Sequence, residues 1–381
     1  MINLIIHIIE QGDTLYSLGK KYNVDYKQIA LDNGLLLNDT LVIGQALVII
    51  NNTNKQKLGT IEVNGYTFAS INNNLLESIL PYLTYISIFS YHILPNGALK
   101  TINDQEIINK AIKQNVTPLM VITNISEKGK FDSELSHLIL NNFSLQDTLI
   151  NNILTSLKIK NYKGVNVDFE YVLPEDKIPY NNFLIKLKKV LEQNNYILIT
   201  ALAPKTKNNQ IGLLYEAHDY KLHGQISDRV ILMTYEWGYA YSKPMAIAPI
   251  NNVEKVINYA TKEIPSQKIL MGIPNYGYNW QLPVIKGIRA TSVNNVEAIN
   301  IARDNNANIK YDNKSKSPYF NYVKDNKQHQ VWFEDARSIT EKLKLVNKYN
   351  LSGISYWTID KLFPTNWTIL SNMYNIKKLN N

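Results

Sequence analysis

Lys163-Gly164-Val165-Asn166-Val167-Asp168-Phe169-Glu170 reads as a buried β-strand that delivers two acids to one place. Side chains alternate along a strand, so Asn166, Asp168 and Glu170 share one side while Val165, Val167 and Phe169 take the other. Like charges held close together in a partly desolvated site push one pKa upward. That leaves one carboxyl protonated near neutral pH and able to act as a general acid. The same stretch also suits a solvated Asp-x-Glu on an edge strand, so its surroundings have to decide.

Outward from this stretch, from Val63 onward, strand-like runs alternate with amphipathic helical ones, as in a parallel sheet wrapped by helices. Candidate strands are 66–70, 85–91, 117–123, 164–170, 197–203, 230–235, 268–274 and 353–358. Between them runs helical spacing such as Phe183, Leu184, Leu187, Val190 and Leu191, with Lys186, Lys188 and Lys189 outward. Eight strand–helix repeats in about 320 residues predict an α/β fold, a TIM (β/α)8 barrel, whose active site lies at the C-terminal strand ends. Glu170 sits at such an end. So do two aromatic groups: the sixth strand ends Met233-Thr234-Tyr235-Glu236-Trp237, and the eighth contains Ser355-Tyr356-Trp357. A Tyr hydroxyl can donate to a substrate carbonyl and an indole can stack under a sugar ring. Either feature alone is usually core packing; together at one open face they favour carbohydrate.

Composition narrows the class. The 381 residues are 45% hydrophobic, enough for a large core, and no apolar run approaches a bilayer span. We expect no membrane insertion, and the absence of a basic lead and cleavage site predicts no signal peptide. Without cysteine there is no disulfide and no thiolate metal site, and the 6 histidines lack metal-binding spacing, so no metal is expected. The net charge of +8 invites nucleic acid, but only Arg229, Arg289, Arg303 and Arg337 are arginines and the lysines are scattered. No nucleic-acid partner is expected. A mildly basic surface still suits an anionic cell-wall polymer.

The first fifty or so residues stand apart. Residues 4–9 read as a strand, Gly12-Asp13-Thr14 as a turn whose Asp or Thr caps a helix over 15–22, 24–31 as a second helix ended by Asn33-Gly34, and 47–50 as a closing strand. The polar stretch that follows has no periodicity. The predicted division is therefore a βααβ domain over 1–51, a linker over 52–58 and the barrel over 59–381.

Gln11-Gly12-Asp13-Thr14-Leu15-Tyr16-Ser17-Leu18, Lys20-Lys21-Tyr22-Asn23-Val24, Asn33 and 41–49 resemble a LysM domain, a module that binds N-acetylglucosamine-containing glycans. The resemblance implies a shallow glycan groove between the loop at Gly12, Asp13, Thr14 and Leu15 and the loop after Asn33. The second domain resembles glycoside hydrolase family 18, and within it the spore cortex-lytic branch that joins LysM modules to such a barrel. Its fourth-strand motif Asp-x-x-Asp-x-Asp-x-Glu falls on Lys163, Asn166, Asp168 and Glu170, and its sixth-strand Met-x-Tyr-Asp on Met233, Tyr235 and Glu236. Met271-Gly272-Ile273-Pro274-Asn275-Tyr276-Gly277, Ser317-Pro318-Tyr319-Phe320 and Val331-Trp332-Phe333-Glu334-Asp335-Ala336 agree further. Lys163 and Asn166 replace acids, so proton sharing between Asp168 and a deeper Asp is lost. A hydrogen bond from Asn166 to Asp168 is expected instead.

The resemblance implies a retaining, substrate-assisted glycosidase that needs no cofactor, with Glu170 as general acid/base. Asp168 would orient the substrate acetamide, Tyr235 would bind its carbonyl, and Trp357 would floor the −1 subsite. Tyr66, Asn166, Tyr171, Glu236 and Trp237 would complete the sugar pocket. The implied partner is peptidoglycan or another N-acetylglucosamine-containing glycan, and the implied location is the spore, at the coat/cortex boundary, after synthesis in the mother cell. A chitinase and a catalytically silent carbohydrate-binding coat protein are the alternatives. The long segment 276–334, a small insertion before the last helix and strand, either walls the cleft or is a packed stabilising unit.

Overall fold

The computed structural model describes residues 4–51 and 56–379; residues 52–55 of the expected linker lie outside them. In the N-terminal domain, strand Leu4–Ile8 pairs antiparallel with Ala46–Ile50, and helices Leu15–Tyr22 and Tyr26–Asn33 lie between them in sequence. Thr14, rather than Asp13, caps the first helix: its side chain accepts from Ser17 N while Ser17 Oγ accepts from Thr14 N. The second helix starts two residues later than predicted, because Asn23 turns left-handed at φ 54 and Asp25 becomes the cap. Ile9, Leu15, Leu18, Ile29, Leu47 and Ile49 close a small core.

Eight parallel strands form the barrel: Thr60–Phe68, Tyr85–Ile93, Thr117–Thr123, Gly164–Asp168, Ile197–Leu202, Arg229–Leu232, Ile269–Pro274 and Gly353–Trp357. Each pairs with the next, and the eighth closes on the first through Gly353↔Glu62 to Tyr356↔Gly65. All eight predicted strands are present, the third with its predicted bounds and the other seven with shifted ends. The first begins at Thr60, six residues before its predicted start; its interior is buried on both faces and so lacks the alternation that marks a strand. The fourth stops at Asp168 and the sixth at Leu232, so Glu170 and Tyr235 stand on the loops that leave the sheet.

Alternation along the fourth strand holds as read. Val165, Val167 and Phe169 pack outward in the helix-covered core, where Phe169 stacks on Tyr180 and Phe183 at 5.7 and 6.1 Å. The barrel interior is a separate layer containing Tyr66, Tyr85, Leu119, Val121, Ile199 and Ile231. A filled interior forces substrate to the rim.

The long insertion is a folded unit. Strands Gly277–Leu282, Thr291–Val293, Lys310–Asp312, Ser317–Lys324 and Lys327–Trp332 make an antiparallel sheet against helix Asn295–Asp304, with its own core around Ala298, Phe320, Val331 and Phe333. The N-terminal domain docks on this unit and on the barrel. Val42 joins the insertion's core, while Ala46 and Val48 join the barrel's. Arg303 Nε donates to Thr40 O at 2.8 Å, Ile309 N to Ile43 O at 2.9 Å, and Thr368 Oγ1 to Asp32 O at 2.9 Å. Among the described residues no helix is long and apolar enough to cross a membrane.

Candidate functional site

Beneath the rim, a chain of polar side chains crosses the barrel interior. Asn64 Nδ2 donates to Ser355 Oγ at 2.9 Å, Ser87 Oγ to Asn64 Oδ1 at 2.8 Å, and Asn166 Nδ2 to both Ser87 Oγ at 3.1 Å and Tyr66 OH at 2.8 Å. The hydrogen bond expected from Asn166 to Asp168 is therefore absent. Ser87 and Tyr66 take the amide hydrogens, and the Asn166 Oδ1 and Asp168 Oδ1 atoms are left buried without a protein partner. Asp168 is only 4% exposed, and burial pushes its carboxyl up to about 7.

Glu170 lines the cleft above. Surrounding protein, then the charge of Asp168, then that of Glu236, drive its carboxyl well above the ordinary carboxylate range, the direction a general acid needs. Its main chain is fixed by two residues absent from the predicted site. Asn124, at the end of the third strand, accepts Glu170 N–H on Oδ1 at 3.0 Å and donates from Nδ2 to Glu170 O at 2.8 Å. His218 binds the preceding carbonyl, Phe169 O, through Nε2 at 3.0 Å, while its Nδ1 accepts from Ala203 N at 2.9 Å. Burial lowers His218 to about 4, so it is neutral and the Nε2 hydrogen is the donor.

Tyr235 stands beside both acids; burial, then the charges of Asp168, Glu170 and Glu236, keep its hydroxyl protonated. The space for its ring depends on Gly272 in the seventh strand, where a Cβ would sit 2.8 Å from Tyr235 Cε1 and 2.5 Å from Leu232 O. Glu236 adopts a left-handed φ of 66 and accepts hydrogen bonds from Tyr276 OH and, at 3.1 Å, from Tyr278 OH. Burial raises its pKa against those bonds and against the charge of Arg289. Trp357 meets Phe89, Tyr66 and Phe68 edge-on at 4.9, 5.2 and 6.0 Å.

Glu236 lines two compartments of one cleft. In one it joins Glu170, Tyr171, Tyr235, Trp237 and Tyr239; in the other it joins Trp357, Phe68, Tyr278, Arg289 and Lys361. Tyr66, Asn166, Asp168, Glu170, Tyr171, Tyr235, Glu236, Trp237 and Trp357 thus gather at the cleft or directly beneath it. Asn124, His218, Gly272, Tyr276 and Tyr278 were not singled out for the site from the sequence. Gly272 and Tyr276 lie within the seventh-strand motif Met271 to Gly277, and Tyr278 in a segment whose contacts periodicity does not reveal.

In the N-terminal domain, Gly12, Asp13, Thr14 and Leu15 line a groove whose other wall is Leu37 to Leu41. Asp13 accepts from His7 Nε2 and Glu10 N, both at 2.8 Å, and these bonds, that of Glu10 first, lower its pKa. Asn33 is elsewhere. Only 7% exposed, it binds Ile29 O at 2.8 Å and both Val48 O and Val48 N at 2.7 Å, tying helix to strand. Its side chain is spent on the fold, a correction to its reading as a glycan contact.

Comparison with known proteins matches residues 51–361 to "Glycosyl hydrolases family 18" and residues 7–49 to "LysM domain". The cortical fragment-lytic enzyme of Bacillus subtilis (strain 168) is 40% identical, over 98% of this chain and 99% of that protein. Its Bacillus anthracis namesake is 39% identical, over 97% and 98%. Among solved structures, the Bacillus cereus spore cortex-lytic enzyme SleL superposes with a TM-score of 0.95 at 36% identity, covering 98% of this chain and 99% of that one. A chitinase from Chromobacterium violaceum shares the fold, with a TM-score of 0.77 at 23% identity over 82% of this chain and 99% of that one.

Proposed function

The chain belongs to family 18 of the glycosyl hydrolases and is a glycosidase, and from that premise we propose that it cleaves N-acetylglucosaminyl bonds in spore cortex peptidoglycan by a retaining, substrate-assisted mechanism. The observation that carries this reading is the placement of Glu170 at the cleft wall, its pKa raised by burial and by neighbouring acids, with Asp168 sunk beneath it and Tyr235 alongside. Glu170 gives its proton to the glycosidic oxygen as the C–O bond breaks. The acetamide oxygen of the same sugar closes on the anomeric carbon, so no enzymic nucleophile is required. Asp168 accepts the acetamide N–H, and the Tyr235 hydroxyl donates to the acetamide oxygen. Glu170, now a carboxylate, takes a proton from the water that opens the ring intermediate; two inversions restore the starting anomer. Trp357 supplies the floor under the sugar.

This chemistry selects the substrate. The sugar over Trp357 needs a free acetamide, which N-acetylglucosamine has and a muramic lactam, its amine locked in a ring, lacks. The names of the relatives, cortex-lytic and cortical fragment-lytic, support the same substrate and a place in the spore. The groove of the N-terminal domain would hold the same glycan at a second point. Retention of Glu170 in the cleft favours hydrolysis over silent binding.

Glu170→Gln is expected to cut release of new reducing ends from cortex fragments by about 10²–10⁴-fold, with sedimentation on insoluble wall unchanged. Hydrolysis by that variant at the wild-type rate would remove the acid assignment. Mass spectrometry of borohydride-reduced products identifies the bond: reduced N-acetylglucosamine ends are expected, and reduced muramic ends would contradict the proposal.

A further inference from the structure

The compartment on the Trp357 side contains two cations that, among the described residues, form no ion pair. Arg289 and Lys361 line it with Phe68, Tyr278, Ser292 and Trp357. Among the described residues neither cationic head makes a hydrogen bond or ion pair. Both side chains are exposed at the mouth, but their main chains are held. Ala290, next to Arg289, donates its N–H to Ala240 O at 2.7 Å. Lys361 O accepts from Asn275 Nδ2 at 2.9 Å. The charge of Arg289 is felt by Glu236, but that carboxylate is engaged by Tyr276 and Tyr278. Two cations are thus presented to whatever lies beyond Trp357.

Resting on the function proposed above, we infer that Arg289 and Lys361 form a binding site for a carboxylate borne by the sugar next to the one over Trp357, on the side away from the leaving group. The direction follows from the two compartments. Glu170 protonates the leaving oxygen and lines the compartment with Tyr171 and Tyr239, so the compartment with Trp357, Arg289 and Lys361 receives the other side of the scissile bond. In an alternating glycan, the neighbour of that N-acetylglucosamine is a muramyl residue. Its 3-O-lactyl group ends in a carboxylate or, when substituted, in a peptide with carboxylates of its own. A muramic lactam has spent its lactyl carboxylate in the ring amide and offers nothing to these cations. The site therefore favours strands whose muramyl residue there is not a lactam.

Arginine suits this task because its planar fork can take both oxygens of a carboxylate, while the lysine adds a mobile point charge. At the open mouth of a cleft such pairs are modest, so a preference of about five- to tenfold is the expected scale. It should shrink as salt screens the charges.

The test compares kcat/KM on three defined oligosaccharides that present the same N-acetylglucosaminyl bond: one with a free lactyl carboxylate at the neighbouring sugar, one with that group amidated and uncharged, and one carrying a stem peptide with free carboxylates. Wild type is expected to favour the charged substrates over the amidated one about five- to tenfold, and Arg289→Ala/Lys361→Ala to bring that ratio to about one. A preference for the lactyl form alone identifies that carboxylate as the ligand, and a preference for the peptide form alone identifies the stem peptide. Equal turnover of all three by wild type, or an undiminished ratio in the double variant, overturns the inference and leaves the proposed function standing. Failure of wild type to cleave any of them overturns both.

Discussion

Asn124 grips the main chain of Glu170 from both sides, accepting its N–H at 3.0 Å and donating to its C=O at 2.8 Å across 46 residues of sequence. The fourth strand has ended at Asp168, so no sheet partner sets the direction in which Glu170 leaves it. A third bond, from Asn124 Nδ2 to Asp132 O at 3.2 Å, anchors the clamp to the neighbouring loop. Asn124 is a positioning residue. It touches no substrate in the proposed mechanism, yet it determines where the acid stands.

Asn124→Ala is expected to lower kcat about 10–100-fold with little change in KM, because misplacement of a proton donor is felt chiefly in the transition state. Stability should fall by roughly 1–3 kcal/mol, the cost of stranding buried polar groups. The alkaline limb of the pH–rate profile, which reports the proton on Glu170, should also move. A variant with a reduced Tm but wild-type kcat and pH profile would reduce Asn124 to a packing residue.

How far the site could be read in advance depended on where each side chain sits relative to regular structure. Val165, Val167 and Phe169 alternate with Asn166 and Asp168, so a period of two located the acids. Tyr235 and Trp357 follow apolar runs and were legible as strand ends. Asn124 is different: nothing local distinguishes an Asn that clamps a backbone from one that closes a turn. Tyr278, Arg289 and Lys361 reach the cleft only because the insertion folds back over the rim and the eighth strand closes on the first, and neither event leaves a mark in a short window. The misreading of Asn33 has the same origin. Asn after a helix ordinarily signals a cap or an exposed turn, whereas here Val48 takes both ends of its amide.

Burial of Asp168 has a consequence for stability that can be measured separately from activity. Its folded pKa of about 7 lies above its ordinary value of 3.8. Between those values the folded state holds more protons than the unfolded one, so this residue's contribution is fully present below about pH 4 and is lost as pH rises through about 7. Asp168→Asn cannot titrate. The Tm of wild type relative to this variant is therefore expected to decline from pH 4 to pH 8, with wild type the less stable at the upper end, at roughly 1–2 °C per kcal/mol for a chain of this length. A difference between the two curves that is flat across that window would mean the carboxyl is ionised throughout.

Gly44 tests whether the glycan-binding domain works from a fixed position. Its φ is +84, and a Cβ there would lie 1.9 Å from Ile309 O in the insertion, at the point where Ile309 N–H donates to Ile43 O at 2.9 Å. Gly44 O also accepts from Arg337 Nη2 at 3.1 Å. Gly44→Ala must therefore push the two units apart while leaving the cleft untouched. A fixed domain raises the effective concentration of bound glycan at the cleft, a gain that matters for long strands and not for short ones. The expected result is faster hydrogen exchange at Ile309 and a severalfold slower release of fragments from insoluble cortex, with turnover of short soluble oligosaccharides unchanged. Gly129→Ala provides the control for backbone strain alone, since its φ is +71 with nothing within 4 Å of the added carbon. If Gly44→Ala exchanges faster at Ile309 yet digests insoluble cortex as quickly as wild type, the docked arrangement serves stability and the domain acts as a simple tether.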